Sequence, residues 1–369
     1  MRIWIIGTKG LPANYGGFET FVEQLCMKSY SKNVKFVVIN ESNGKRNYVR
    51  KYSKKVSVLE SPFLATGFQS VLHDAWSLFI SIKKSTSQFS NNNKILLLGT
   101  SGGWALPFLR LFFRINRPLI VTNIAGLEWT RAKWGFLARM FLKLSELLCV
   151  KYSDVVVTDN IELKRYCLKE YGVETQFIPY GGDQYSMINP NIKILDDLPE
   201  QFDFAMARAQ PDNNLEILLE AYAGSNLNLV LVSNWKSCKF GIELQKKYLK
   251  YSNLHLIGPI YEKSKLRALY KYSRFYVHGH SSGGTNPTLV EAMNEGCDVL
   301  AYDVIYNIET TQNEALYFKC VKSLKFLISN WNLNTSSERV IKLSFIAKDI
   351  YTWQSVCNDY IELMDRCNS

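Results

Sequence analysis

At 369 residues, 47% hydrophobic and 21% charged, the chain is globular and too long for one α/β unit of ordinary size, so two domains are expected. Its positive charge is lopsided: residues 1–185 hold 25 Lys and Arg against 13 Asp and Glu, a net of +12, whereas residues 186–369 hold 19 against 20, a net of −1. The eight cysteines stand singly with no Cys-x-x-Cys pair, the first residues run straight into an apolar strand, and no window of about 18 residues is uninterruptedly apolar. These features argue against a disulfide scaffold, a zinc module, a secreted chain and a membrane span, and they suit a reduced, cytoplasmic protein.

In chain order, apolar strands are expected at 2–6, 34–39, 56–59, 95–98, 119–123 and 155–158, with helical stretches between them. A glycine-bearing turn, 7–17, precedes a helix over 19–28. A second series of strands follows at 204–207, 227–232, 254–257, 275–278 and 299–302. Strands alternating with helices predict parallel sheets covered on both faces, here two doubly wound domains in tandem. The joint falls in the polar stretch 181–200, between Pro190 and Pro199. The expected division is 1–185, 186–348, and a C-terminal helix, 349–369, that returns to the first domain. Ligands of such sheets bind beyond the carboxyl ends of the strands, so the cleft that the two domains would face across is the expected site.

The most informative segment is 278–296. A strand end is followed by Gly283 and Gly284, then Thr285, an N-cap at Asn286, Pro287 at the first helical position, and a stop at Gly296. Glycines allow a backbone to approach a ligand closely, and the open N–H groups of a helix start favour an anion such as a diphosphate. Glu291 stands four residues into the helix, where a carboxylate can accept hydrogen bonds from ribose hydroxyls.

With Gly-Gly-Thr-Asn-Pro at 283–287, Gly-Gly-Phe-Glu-Thr at 16–20, Gly-Leu-Glu-Trp-Thr-Arg at 126–131, Pro-Tyr-Gly-Gly at 179–182 and Arg208 followed by Pro211-Asp-Asn-Asn214, the chain resembles the retaining family 4 glycosyltransferases of GT-B fold, in a bacterial rhamnosyltransferase-like subgroup. The motifs appear in family order along essentially the whole chain. The resemblance implies that Glu291 holds the donor ribose, that Gly283, Gly284, Thr285 and Asn286 meet the diphosphate with His280 close by, and that Arg208 neutralises the diphosphate as it leaves. Gly16 and Gly17 would line the cleft from the other domain, and Glu128 and Arg131 would bind the acceptor. The chain also departs from the family. Gly283 stands where a first glutamate is common, Asn214 replaces a lysine for which Lys236 or Lys239 would have to substitute, and Ala125 replaces an aspartate.

The implied reaction moves a hexose or deoxyhexose from a nucleotide sugar onto an undecaprenyl-diphosphate-linked glycan in O-antigen or capsule synthesis, rhamnose from dTDP-rhamnose being the first candidate. Galactose, glucose, GlcNAc and fucose are the alternatives. No Asp-x-Asp motif is present, so no metal and no cofactor is implied. A GT-B sugar-nucleotide epimerase and a binding protein that has lost catalysis remain competing readings. A dinucleotide oxidoreductase is disfavoured, because residues 7–10 do not form Gly-x-Gly-x-x-Gly and no acidic residue ends the second strand.

Two stretches interleave aromatic and basic residues: 104–117, with Arg110, Arg114 and Arg117, and 129–143, with Arg131, Lys133, Trp134 and Arg139. Together with the +12 they predict that the first domain docks on the anionic inner leaflet of the plasma membrane, held by charge and released by salt, rather than on nucleic acid.

Overall fold

The computed structural model describes all residues except 14–15, 30–32, 43–48, 87–91, 114–116, 132 and 367–369; of 333–334 it describes the backbone alone. Asn14 and Tyr15 of the first glycine turn, most of the polar patch at 85–93, Arg114 and Cys367 therefore lie outside the described residues.

The first compact unit comprises Met1–Thr130, Trp134–Pro179 and Trp353–Ser369. Its strands are β1 (Arg2–Ile6), β2 (Lys35–Asn40), β3 (Val49–Lys51), β4 (Val56–Glu60), β5 (Asn93–Leu98), β6 (Leu119–Ile124), β7 (Val155–Thr158) and β8 (Gln176–Phe177). They lie in the order β3-β4-β2-β1-β5-β6-β7-β8, all parallel except the β3–β4 pair. The unbroken Ile and Leu runs of β1 and β5 follow from this position: both faces of these central strands are covered, and Ile3, Ile5, Ile95, Leu96 and Leu97 are completely buried.

The second unit, Tyr180–Thr352 together with Arg131–Lys133, contains β9 (Asp203–Met206), β10 (Leu229–Val232), β11 (Leu254–Ile257), β12 (Tyr276–His278), β13 (Val299–Tyr302) and β14 (Leu316–Phe318). Their order, β11-β10-β9-β12-β13-β14, is all parallel. In both sheets the strand order reverses beside the first strand, so each unit has a topological switch point, at β1/β5 and at β9/β12.

Every strand expected from the sequence is present, with its ends displaced by two residues at most. The strands β3, β8 and β14 were not expected. They are two or three residues long at the margins of the sheets, too short to leave a periodic signal. After a separate helix, Leu333–Ile350, and the two residues Tyr351 and Thr352, the expected C-terminal helix is present as Trp353–Arg366. It packs on Gly17–Lys28 in the first unit, with Phe21 stacked edge-on to Tyr360 at 5.0 Å and Trp353 fully buried.

Candidate functional site

At the β9/β12 switch point two loops are stitched together. The loop after β9 carries Arg208 and turns through Pro211–Asn213 into Asn214, whose φ of 49° lies in the left-handed region that Asn tolerates better than most residues. Asn214 Nδ2 donates to the Gly279 carbonyl at 2.9 Å, and Ser281 N donates to the Asp212 carbonyl at 2.9 Å, so the loop after β12 is tied to it at two points. A Cβ on Gly279 would stand 2.3 Å from the Asn213 carbonyl oxygen, which is why the approach requires glycine. His280 is buried and its Nδ1 faces Asn213 Oδ1 at 2.7 Å, while Asn213 Nδ2 donates to the Arg208 carbonyl at 2.7 Å. Burial, and after it the charges of Arg131 and Arg208, push the His280 pKa down to about 3. The imidazole is therefore neutral at pH 7, and two guanidinium charges act on one spot beyond the sheet.

The glycine loop continues through Gly284, at φ 96°, and buried Thr285 into the helix Pro287–Asn294. Asn286 caps this helix, accepting from Thr288 N at 3.2 Å, and Pro287 occupies the first turn. The sequence places this cap correctly because Asn-Pro is a strong local signal that needs no tertiary context.

Glu291 stands in the second turn of this helix. It is buried within the second unit, where Tyr270 Oη donates to Oε2 at 2.9 Å, Gln184 Nε2 donates to Oε1, and Tyr185 Oη approaches Oε2 at 3.5 Å. Burial raises its carboxyl to about 7 against the hydrogen bonds of Tyr270, Gln184 and Tyr185. Burial and the nearby Glu291 charge keep Tyr185 and Tyr270 protonated, and hence donors. Both carboxylate oxygens therefore already accept hydrogen bonds from the protein itself. The sequence marked Glu291 but not Gln184, Tyr185 or Tyr270, which lie far from it along the chain.

In the first unit, Gly16 is the N-cap of Gly17–Lys28 and supplies no side-chain cap. Glu19, in the first turn of that helix, accepts from Thr8 Oγ1 and from Lys9 N, both at 2.9 Å. Asn40, ending β2, clamps the same loop by donating to the Leu11 carbonyl at 2.7 Å and accepting from Leu11 N at 3.0 Å. These two residues order the glycine turn at the β1/β5 switch point, and the sequence reading missed both.

Glu128 accepts from Trp134 Nε1 at 3.0 Å, and the Trp129 ring between them in sequence faces Lys143 Nζ at 4.6 Å. Arg131 groups with the second unit, where it lies 3.8 Å from Asp212. Asn214 acts as a loop tie, and Lys239 points into solvent beside Glu243 at 3.6 Å, so Lys239 is not held at the switch point. Among the described residues no group of three His, Cys, Asp or Glu side chains is placed to hold a metal ion.

With this geometry in hand, comparison with known proteins defines the class of fold. The whole chain superposes on a sucrose-phosphate synthase from Thermosynechococcus elongatus with a TM-score of 0.82 and 16% identity, covering 99% of this chain and 98% of that one. It superposes on a UDP-forming α,α-trehalose-phosphate synthase from Burkholderia xenovorans, in complex with glucose-6-phosphate, with a TM-score of 0.73 and 10% identity over 99% and 100% of the two chains. A structure from E. coli bound with UDP-2-fluoro glucose gives a TM-score of 0.71 at 10% identity, covering 99% of each chain. The fold is therefore GT-B, two doubly wound α/β domains in tandem. In sequence, residues 1–183 match a family described as a domain of unknown function, DUF1972. Protein CapJ of Staphylococcus aureus is 24% identical over 321 residues, 81% of this chain and 74% of that protein.

Proposed function

We propose that the protein is a retaining glycosyltransferase that takes a sugar from a nucleotide donor held at the β9/β12 switch point. The observation that carries this reading is the tying of the Arg208 loop, with Arg131 3.8 Å from its Asp212, to a glycine loop that leads into a capped helix start. Departure of a nucleoside diphosphate concentrates negative charge, and preorganised cations and N–H dipoles at that point stabilise it. Arg131 supplies the second cation that the family motif would have placed at Asn214. Gly283, Gly284, Thr285 and Asn286 meet the diphosphate, and Glu291 takes the ribose in exchange for Gln184. Glu128 and the glycine turn ending at Gly16 and Gly17 serve the acceptor side.

The relatives of like fold include a UDP-forming synthase and a structure bound with UDP-2-fluoro glucose, which supports a nucleotide-sugar donor. The acceptor is a polyprenyl-diphosphate-linked glycan in surface polysaccharide synthesis at the cytoplasmic face of the membrane, and the first donor to test is dTDP-rhamnose. Calorimetric titration against a panel of nucleotide sugars, followed by assay of the bound donor with and without a lipid-linked acceptor, tests the reading. Acceptor-dependent loss of donor is expected. Epimerised donor without acceptor, or binding with no turnover under any condition, would overturn it.

A further inference from the structure

Among the described residues, three helices of the first unit expose large apolar residues. On Leu106–Phe112 the exposed residues are Phe108, Leu111 and Phe112, spaced along one helical face. On Phe136–Tyr152 they are Phe136, Leu137, Met140 and Leu144, again on one face. These two helices pack against each other. Phe79, exposed on Gln69–Thr86, lies 6.1 Å from Phe113 and extends the surface. Phe112, Phe136 and Leu137 are 78%, 76% and 79% exposed, far more than a core-covering helix leaves open.

Charge identifies the occupant. The only acid on Phe136–Tyr152 is Glu146, which is buried and accepts from Tyr166 and Tyr171 at 2.6 Å. The only acid on Gln69–Thr86 is Asp74, also buried, and Leu106–Phe112 has none. The basic residues on these helices include Lys83, Lys84, Arg139, Lys143 and Lys151. Lys143 is held by Glu170 at 2.8 Å, but the three helices themselves carry no exposed carboxylate, and an apolar face whose own charges are basic complements an anionic bilayer, whose headgroups meet the cations while its acyl chains receive the centre.

Salt-reversible docking, expected from the +12, requires its cations to be available, and the structure engages several of them elsewhere, Lys143 with Glu170 among them. Arg110 and Arg117 both bind Asp154, at 2.9 Å and through two hydrogen bonds of 2.8 Å. We propose that the first unit attaches to an anionic membrane by inserting the faces of Leu106–Phe112 and Phe136–Tyr152 below the headgroups, so that binding persists when charge is screened. Among the described residues no helix is long and apolar enough to cross a membrane, so the attachment is to one leaflet. The inference does not depend on the transfer reaction.

The test is sedimentation of the full chain with vesicles of equal parts phosphatidylcholine and phosphatidylglycerol, and with phosphatidylcholine alone, at low and at molar salt. The wild type is expected to bind the anionic vesicles and to retain most of that binding at molar salt. The variant Phe112→Ser/Leu137→Ser is expected to lose at least tenfold in partition at both salts. Both substituted positions are exposed, so an unchanged melting temperature verifies the fold, and unchanged nucleotide-sugar affinity separates loss of docking from failure of the donor site. Complete release of the wild type at molar salt would overturn insertion. So would a concentration-dependent dimer, abolished by the same substitutions, in a protein that leaves both vesicles unbound.

Discussion

In the proposed role Glu291 would hold a ribose best as a carboxylate, yet its surroundings favour the acid. Folded, it keeps a proton up to about pH 7, whereas the ordinary value is 4.5. Between these values the folded state binds more protons than the unfolded one, so stability falls as pH rises. Its contribution is full below 4.5 and gone above about 7, on the order of 3 kcal/mol in all. Glu291→Gln, which keeps a neutral side chain in the same hydrogen-bonded pocket, should flatten this part of the pH–stability profile. Thermal denaturation of the two proteins across that window checks it, and identical slopes would mean that the carboxyl titrates normally. The same substitution should weaken donor binding most at alkaline pH, where the wild type is charged. Arg208 makes a different demand. If the proposed transfer holds, the charge Arg208 would meet grows as the glycosidic bond breaks, so Arg208→Ala should lower turnover by on the order of 100-fold while changing donor affinity far less. Measuring kcat and donor affinity separately decides the matter; a mutant impaired only in affinity would make Arg208 a ground-state anchor.

At the scale of elements, the two loops at the β9/β12 switch point act as one because Asn214 ties them. Placing there the lysine of the family that the sequence resembles tests whether charge or geometry governs the position. Asn214→Lys adds a cation, but it places a long side chain in the left-handed region and removes the 2.9 Å bond to Gly279. A net hydrogen bond contributes about 1 kcal/mol, and the strained backbone costs about as much again. Donor affinity is therefore expected to fall about tenfold or more, and a gain in affinity would show that the missing charge was the limiting one. The element scale also shows what the sequence could disclose. The strands of both sheets, the Asn286–Pro287 helix start and the switch-point residue Arg208 were legible because each is set by a few adjacent residues. The partners of Glu291, the tie from Asn214 to Gly279 and the clamp of Glu19 and Asn40 on the first glycine turn were not. Each joins residues distant along the chain that only the folded sheet brings together. The exposed faces on Leu106–Phe112 and Phe136–Tyr152 were half legible: aromatic and basic residues were visible, but not which of them the core would claim.

At the scale of the molecule, the chain leaves the first unit after Pro179 and re-enters it at Trp353, so the first unit joins segments far apart in sequence. The re-entering helix Trp353–Arg366 covers Gly17–Lys28, the helix that follows the first glycine turn. Tyr360 stacks on Phe21 and accepts from Asn123 Nδ2 at 2.6 Å, at the end of β6. Trp353 lies 6.2 Å from the Phe21 ring and is completely buried, and removal of such a side chain costs about 3–5 kcal/mol. Most of that loss belongs to the first unit, since the partners of Trp353 and Tyr360 named here are there. Trp353→Ala should thus lower hydrogen-exchange protection in β1, β5 and Gly17–Lys28 while β9, β10 and β12 keep theirs. The substitution should also loosen the first glycine turn through its helix, reducing acceptor-dependent turnover more than donor affinity. Equal loss of protection in both sheets would show instead that the two units unfold as a single cooperative body, and that the returning helix secures the whole chain rather than one end of it.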